Sequence, residues 1–209
     1  MRRGTAVAVL AILGLLVGCG QKSNGGGGTS PGAGASGPTS AGPGASGNPS
    51  SGPGATVALP ASCTDVLALD DLDKVIGHLI AGQAVYIKGK PEPKINRTGR
   101  ITCRYGVRKV GHNVHVPIDV GISAYSDEGS AADRVRYTVN QQRSGGATAS
   151  DVALGGTKAT ALVAAGSALL VFAKNAETVA ISVTKEVSTG DAAKAILVKL
   201  GNLVIGRLP

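Results

Sequence analysis

Between Gly20 and Ala58 the chain has almost nothing with which to build a core: 34 of these 39 residues are Gly, Ala, Ser, Thr or Pro. The stretch holds 13 of the 32 glycines and five of the ten prolines. Pro-Gly-Ala recurs at 31–33, 43–45 and 53–55, a low-complexity echo rather than a structural repeat. Burial of such small and polar side chains cannot offset the entropy of ordering them, which predicts a solvated tether. A flexible chain of this length spans roughly 31–37 Å root-mean-square. Ser and Thr beside Pro also permit O-glycosylation on composition. Any fold must therefore come from the sequence on either side.

Residues 1–18 read as an export signal. Arg2 and Arg3 precede an apolar-leaning run from Thr5 to Val17, shorter than the ~20 residues of a spanning helix and suited to a signal h-region. The run ends in Leu16-Val17-Gly18-Cys19. This resembles the lipobox of bacterial lipoproteins, in which the cysteine is lipidated on its thiol and becomes the mature N-terminus. The resemblance implies a palmitate-type anchor at Cys19 and a lipidated tether over residues 19–58. It also implies a location on the outer face of the cell membrane.

The remaining residues, 59–209, are enough for one ordinary core. They carry all 13 acidic residues and 18 Lys/Arg, so the formal +8 of the whole chain falls to about +5 here. With four tyrosines, one phenylalanine and no tryptophan, the chain lacks the exposed rings that stack on single-stranded nucleic acid. Nucleic acid is not an expected partner.

Cys63 and Cys103 remain as an even pair once Cys19 is set aside. Outside the cytoplasm such a pair usually oxidises, with two free thiols as the alternative. Neither lies in a Cys-x-x-Cys motif. After Cys63, residues Val66, Leu67, Leu69, Leu72, Val75 and Ile76 mark a helix with Gly77 as its stop and Ser62 or Asp70 as its cap. Ile101, Cys103, Tyr105 and Val107 then alternate with polar or small residues, as do Val114 to Ile122 beyond a turn. Pairing Lys109 with Val114 sets Cys103 opposite Val120, Tyr105 opposite Ile118 and Arg104 opposite Asp119. Pro117 points to an edge strand or a bulge.

A second helix is expected near 131–142, burying Ala132, Val135 and Val139, with strands near 160–163, 168–173 and 178–184. A third helix from 191 to 205 buries Ala193, Ile196, Leu197, Leu200 and Val204. The order predicts an α+β fold, an antiparallel sheet with helices packed on one face. It also fits a weak internal duplication of a helix-plus-strands unit.

These motifs resemble a group of actinobacterial lipoproteins whose exported domain has no assigned activity. The marks are the lipobox and tether, Cys63-Thr-Asp-Val-Leu running to Val75-Ile76-Gly77, and Cys103-Arg104-Tyr105 opening a strand. Leu154-Gly155-Gly156-Thr157-Lys158-Ala159 is a looser match to a turn before a hairpin. The resemblance implies a disulfide-bonded surface domain of unknown function, given to binding or sensing rather than catalysis.

Metal and nucleophile signatures are weak. His112 and His115, three apart on a strand, point to opposite faces. Asp65, Asp70, Asp71 and Asp73 lack the alternation and glycine of a calcium loop. Ser123 lacks the second glycine of a nucleophile elbow. The four glycines at 25–28 sit in the tether, away from any strand-to-helix turn that would cradle phosphate. No cofactor, metal or catalytic residue is assigned. The candidate site is a basic run: Lys88, Lys90, Lys94, Arg97, Arg100, Arg104, Arg108 and Lys109 against one acid, Glu92. Such a patch engages an anionic lipid, an envelope polymer or an acidic protein, unless its arginines pair locally. The expected function is a membrane-anchored, non-catalytic binding or scaffold domain. A carrier of a small apolar or lipid ligand in a sheet–helix cavity is the second reading, and an envelope hydrolase the third.

Overall fold

The computed structural model describes residues 58–208. The export signal, Cys19 and the tether up to residue 57 lie outside the described residues. Two short helices come first, α1 (Cys63–Val66) and α2 (Leu69–Ile76), then β1 (Gln83–Gly89) and a 3-10 turn at Pro93–Ile95. The strands β2 (Arg97–Val110), β3 (Asn113–His115) and β4 (Ile118–Tyr125) follow, then helix α3 (Glu128–Ser144). Four strands complete the sheet: β5 (Thr148–Leu154), β6 (Thr157–Val163), β7 (Ser167–Lys174) and β8 (Glu177–Thr184). Helix α4 (Gly190–Ile205) closes the chain.

The sheet is antiparallel, in the order β1-β2-β4-β8-β7-β6-β5, with β3 paired to the end of β2. It is an α+β fold, as the pattern of helices and alternating strands predicts. The β2–β4 register is the one the inward apolar pairs require, Cys103 opposite Val120 and Tyr105 opposite Ile118. Pro117 falls between β3 and β4, where the pairing is interrupted, rather than on a sheet edge.

One face of the sheet is dry. Ile101, Cys103 and Tyr105 of β2, Ile118, Val120 and Ile122 of β4, and Val179, Ile181 and Val183 of β8 form continuous rows there. Leu170 and Phe172 of β7 extend them. Val66, Leu67 and Leu72 of the first two helices and Ala193, Leu197, Leu200 and Val204 of α4 cover these rows. Gly201 lets α4 come close: a Cβ there would stand 2.6 Å from Leu170 Cδ2 and 2.9 Å from Leu154 Cδ1. Such crowding outweighs the helix-propensity cost of glycine.

The helix expected after Cys63 is broken in two at Leu67–Ala68. Ser62 and Asp65 form a reciprocal capping box on the first piece. Gly77, at φ 86°, stops the second, its N–H donating to the Asp73 carbonyl. The break turns Cys63 onto Cys103, and the two form a disulfide with Cα atoms 5.4 Å apart. The buried Tyr105 hydroxyl donates to the Cys63 carbonyl at 2.8 Å, and burial raises that phenol well above its usual range.

Two expectations need correcting. Helices do not all lie on one face: α3 crosses the reverse face, against β4, β7 and β8. It buries Ala131 there, not Ala132. Two strands also went unread, β1 and β5, the two outer members of the sheet path. β1 is largely exposed and β5 only partly buried, with Leu154 its one fully buried residue, so burial left no clean alternation in their sequence.

Glu177 opens β8 with a side chain buried on the dry side, the residue 1% exposed and its Oε1 without a partner among the described residues. Burial raises its pKa and the nearby Lys174 ammonium partly lowers it again. Because the folded state holds this proton more tightly than the unfolded one, the group costs stability as pH rises past the ordinary carboxylate value of 4.5. Glu177→Gln is therefore expected to raise the melting temperature at pH 7, with the gain closing as pH falls below that value. A pH-independent change in thermal scans would contradict this. Removing the disulfide with Cys63→Ser and Cys103→Ser is expected to cost about 4 kcal/mol in urea unfolding, the entropy of a 40-residue loop. An unchanged midpoint would show that the bridge is not holding the fold.

Candidate functional site

The basic run does not form one patch. From Arg97 to Lys109 the chain is a single strand, and twelve residues of extended chain span about 40 Å. Lys88 lies on edge strand β1, paired with Ile101, while Lys90 and Lys94 are exposed in the connection that follows. Lys109 sits at the far hairpin opposite Val114. Three of the arginines are held locally. Arg97 bonds Glu92 at 2.9 Å, Arg104 bonds Asp119 at 3.1 Å, and Arg108 bonds Glu186 at 2.8 Å. Glu186 also meets His115 Nδ1 at 2.6 Å. That contact first, then Arg108, holds the Glu186 carboxyl below its usual range. Surface pairs of this kind contribute little stability each.

Arg97 and Arg100 are brought together by an irregularity that the sequence does not announce. Three apart on a regular strand, they would face opposite sides. The register shifts by one residue between Arg97 and Gly99, so Arg97 stands opposite Tyr125 while Arg100 stands opposite Ser123. This bulge puts both guanidinium groups on the reverse face, beneath α3.

The pairing builds a short polar row there. Arg100 of β2 lies opposite Ser123 of β4, and Ser123 lies opposite Thr178 of β8, at ~4.8 Å per strand. The next row is small, with Gly121 opposite Ala180. Arg100 lies across this hollow: a Cβ on Gly121 would be 3.5 Å from its Nη2. Above it, α3 presents Arg134, Val135 and Thr138. The cleft is partly open to solvent and offers about 160 Å³, lined by three arginines, four hydroxyl-bearing residues, Gly121, Val135, Val171 and Ala180, with no carboxylate or histidine.

Local contacts fix the roof. Asp127 caps α3, accepting from the Ser130 N–H at 2.7 Å and from the hydroxyls of Ser126 and Ser130. Asn96, at φ 57°, donates its amide to the Ser130 hydroxyl at 3.0 Å, while its carbonyl accepts from the Ser126 N–H. These bonds tie the turn that carries Arg97 to the start of the helix that carries Arg134. Arg134 stacks on the Tyr137 ring, 5.0 Å from its centroid. Arg97 is held more deeply: its side chain is 14% exposed, and its Nε is buried with no acceptor among the described residues.

Of the eight candidate basic residues, then, only Arg97 and Arg100 share this cleft. Arg134, Thr138 and Thr178 escaped sequence reading because they come from elements far along the chain. The only signal was negative: Arg134 lies on a helix face otherwise turned to the sheet.

No protein-family model matches the chain, and no curated protein sequence matches it. Among solved structures, the extracellular domain of PknH from Mycobacterium tuberculosis is similar, with a TM-score of 0.45 and 12% identity. The match covers 72% of this chain and 98% of that one. At that level it transfers no residue role.

The Ser126 and Ser130 bonds hold the Asp127 carboxyl below its usual range. A depressed folded value contributes stability that is present above the ordinary carboxylate range and is lost as pH falls through the folded value. Asp127→Ala is expected to lower the melting temperature at neutral pH, with the difference from the parent disappearing in acid. Retention of the full difference at the lowest pH would show that the cap acts through something other than its charge.

Proposed function

We propose that this is an exported lipoprotein, anchored through Cys19, whose folded part is a non-catalytic binding domain held off the outer face of the cell membrane. The Cys63–Cys103 disulfide is the observation that carries the reading. Such bonds persist in oxidising compartments and are rare in the cytosol, and this one follows a sequence with a basic start, a short apolar run and a lipobox-like cysteine. Among the described residues no helix is long and apolar enough to cross a membrane.

Binding is favoured over catalysis by the donor set of the cleft under α3. Arginines and hydroxyls hold an anion, whereas acid–base chemistry needs a group that titrates near neutral pH within reach of the ligand.

Metabolic labelling with a palmitate analogue tests the anchor. The parent chain is expected to take up label and to begin, by intact mass, at an acylated Cys19, while Cys19→Ala takes up none. Equal labelling of the two, or a mature N-terminus elsewhere, would refute the lipoprotein reading.

A further inference from the structure

We propose that the cleft between α3 and the reverse face of the sheet binds one phosphate group, held by Arg97, Arg100 and Arg134. The inference rests on the binding-domain reading and names its ligand.

Charge is the first argument. Glu92 compensates Arg97, but among the described residues no carboxylate pairs with Arg100 or Arg134, and none lines the cleft. Guanidinium groups keep their charge at any pH a folded protein meets. The cleft therefore holds about two positive charges that no carboxylate compensates. A dianion cancels both, and a carboxylate only one.

Donor geometry is the second. The face of Arg134 rests on Tyr137, which leaves its in-plane N–H groups for an acceptor. The Nε of Arg97 is buried and unpaired. Ser123 and Thr178 sit in the same row as Arg100 and offer hydroxyls. A phosphate group presents three or four acceptor oxygens and no fixed donor, which suits a wall made of N–H and O–H groups.

Size is the third. A volume of about 160 Å³ equals about five waters at ~30 Å³ each, and phosphate has five heavy atoms. Arg134 also lines an open groove beside α3 that runs past Asn96 and Tyr137. Because Arg134 borders both the cleft and the groove, and the cleft is partly open, the phosphate is either the free ion or the end of a monoester.

Calorimetry on the mature full chain in detergent tests this, with inorganic phosphate, glycerol 3-phosphate and acetate as probes. Saturable phosphate binding is expected, with acetate much weaker. Arg100→Gln is expected to weaken phosphate at least about tenfold, the effect of losing one charge-assisted contact. Arg104→Gln, on the same face but paired with Asp119 outside the cleft, is expected to leave it within about twofold. Tighter binding of glycerol 3-phosphate assigns the group to a monoester, and tighter inorganic phosphate assigns it to the free ion. Arg100→Gln is also expected to raise the melting temperature without phosphate, by removing an uncompensated charge, and to lose the rise that phosphate gives the parent. Absence of saturable binding up to about 10 mM phosphate, acetate binding equally well, or Arg104→Gln weakening phosphate as much as Arg100→Gln would each overturn the proposal. None of these results alters palmitate labelling at Cys19, so the anchor and the phosphate site stand or fall separately.

Discussion

The two halves of the sheet meet along one ladder, β4 against β8, from Ile118 opposite Val183 to Ala124 opposite Glu177. The partners lie more than fifty residues apart in sequence, and no turn brings them together. What holds them is burial: Ile118, Val120, Ile122, Val179, Ile181 and Val183 are all essentially inaccessible on the dry face. At roughly 1.5–3 kcal/mol for each fully buried aliphatic side chain, this row outweighs any single ion pair on the surface. Because strand side chains alternate, the same ladder sets the opposite face. It places Ser123 beside Thr178 and Gly121 beside Ala180, which is the floor of the cleft.

The two faces thus have different tasks. Under α1, α2 and α4 the sheet carries bulky aliphatics, and α4 comes close enough at Gly201 to exclude a methyl group. Under α3 it carries Gly121, Ser123, Thr178 and Ala180 beside the buried Tyr125 and Val171, and the small residues leave space that Arg100 partly fills. The halves share an order, helices followed by antiparallel strands, yet α1 and α2 lie on one face and α3 on the other. One molecule therefore has a dry core on one face and a polar hollow on the other, built from alternate residues of the same strands.

Much of the fold was legible. The β2–β4 register follows from apolar alternation in Ile101 to Ile122, and the α4 stripe from Ala193 to Val204. The disulfide was legible too, from an even cysteine pair and an inward Cys103. Edge strands β1 and β5 were not, because strands with little burial have no reason to alternate. Of the cleft, only Arg97 and Arg100 were singled out, as members of a basic run that the structure disperses along some 40 Å of strand. The bulge at Thr98 that turns both arginines to one face has no composition of its own.

By itself, then, the sequence determined what the segments of the folded part do with water: which strands have an apolar side, where helices start and stop. Those are local matters of burial and backbone freedom, and residue spacing records them. The tertiary structure decided which residues meet. Arg97, Arg100, Ser123, Arg134 and Thr178 converge from four elements only after a bulge, a long-range ladder and a helix crossing the reverse face are in place. Each of these depends on contacts between segments far apart in the chain, and no local pattern carries that information.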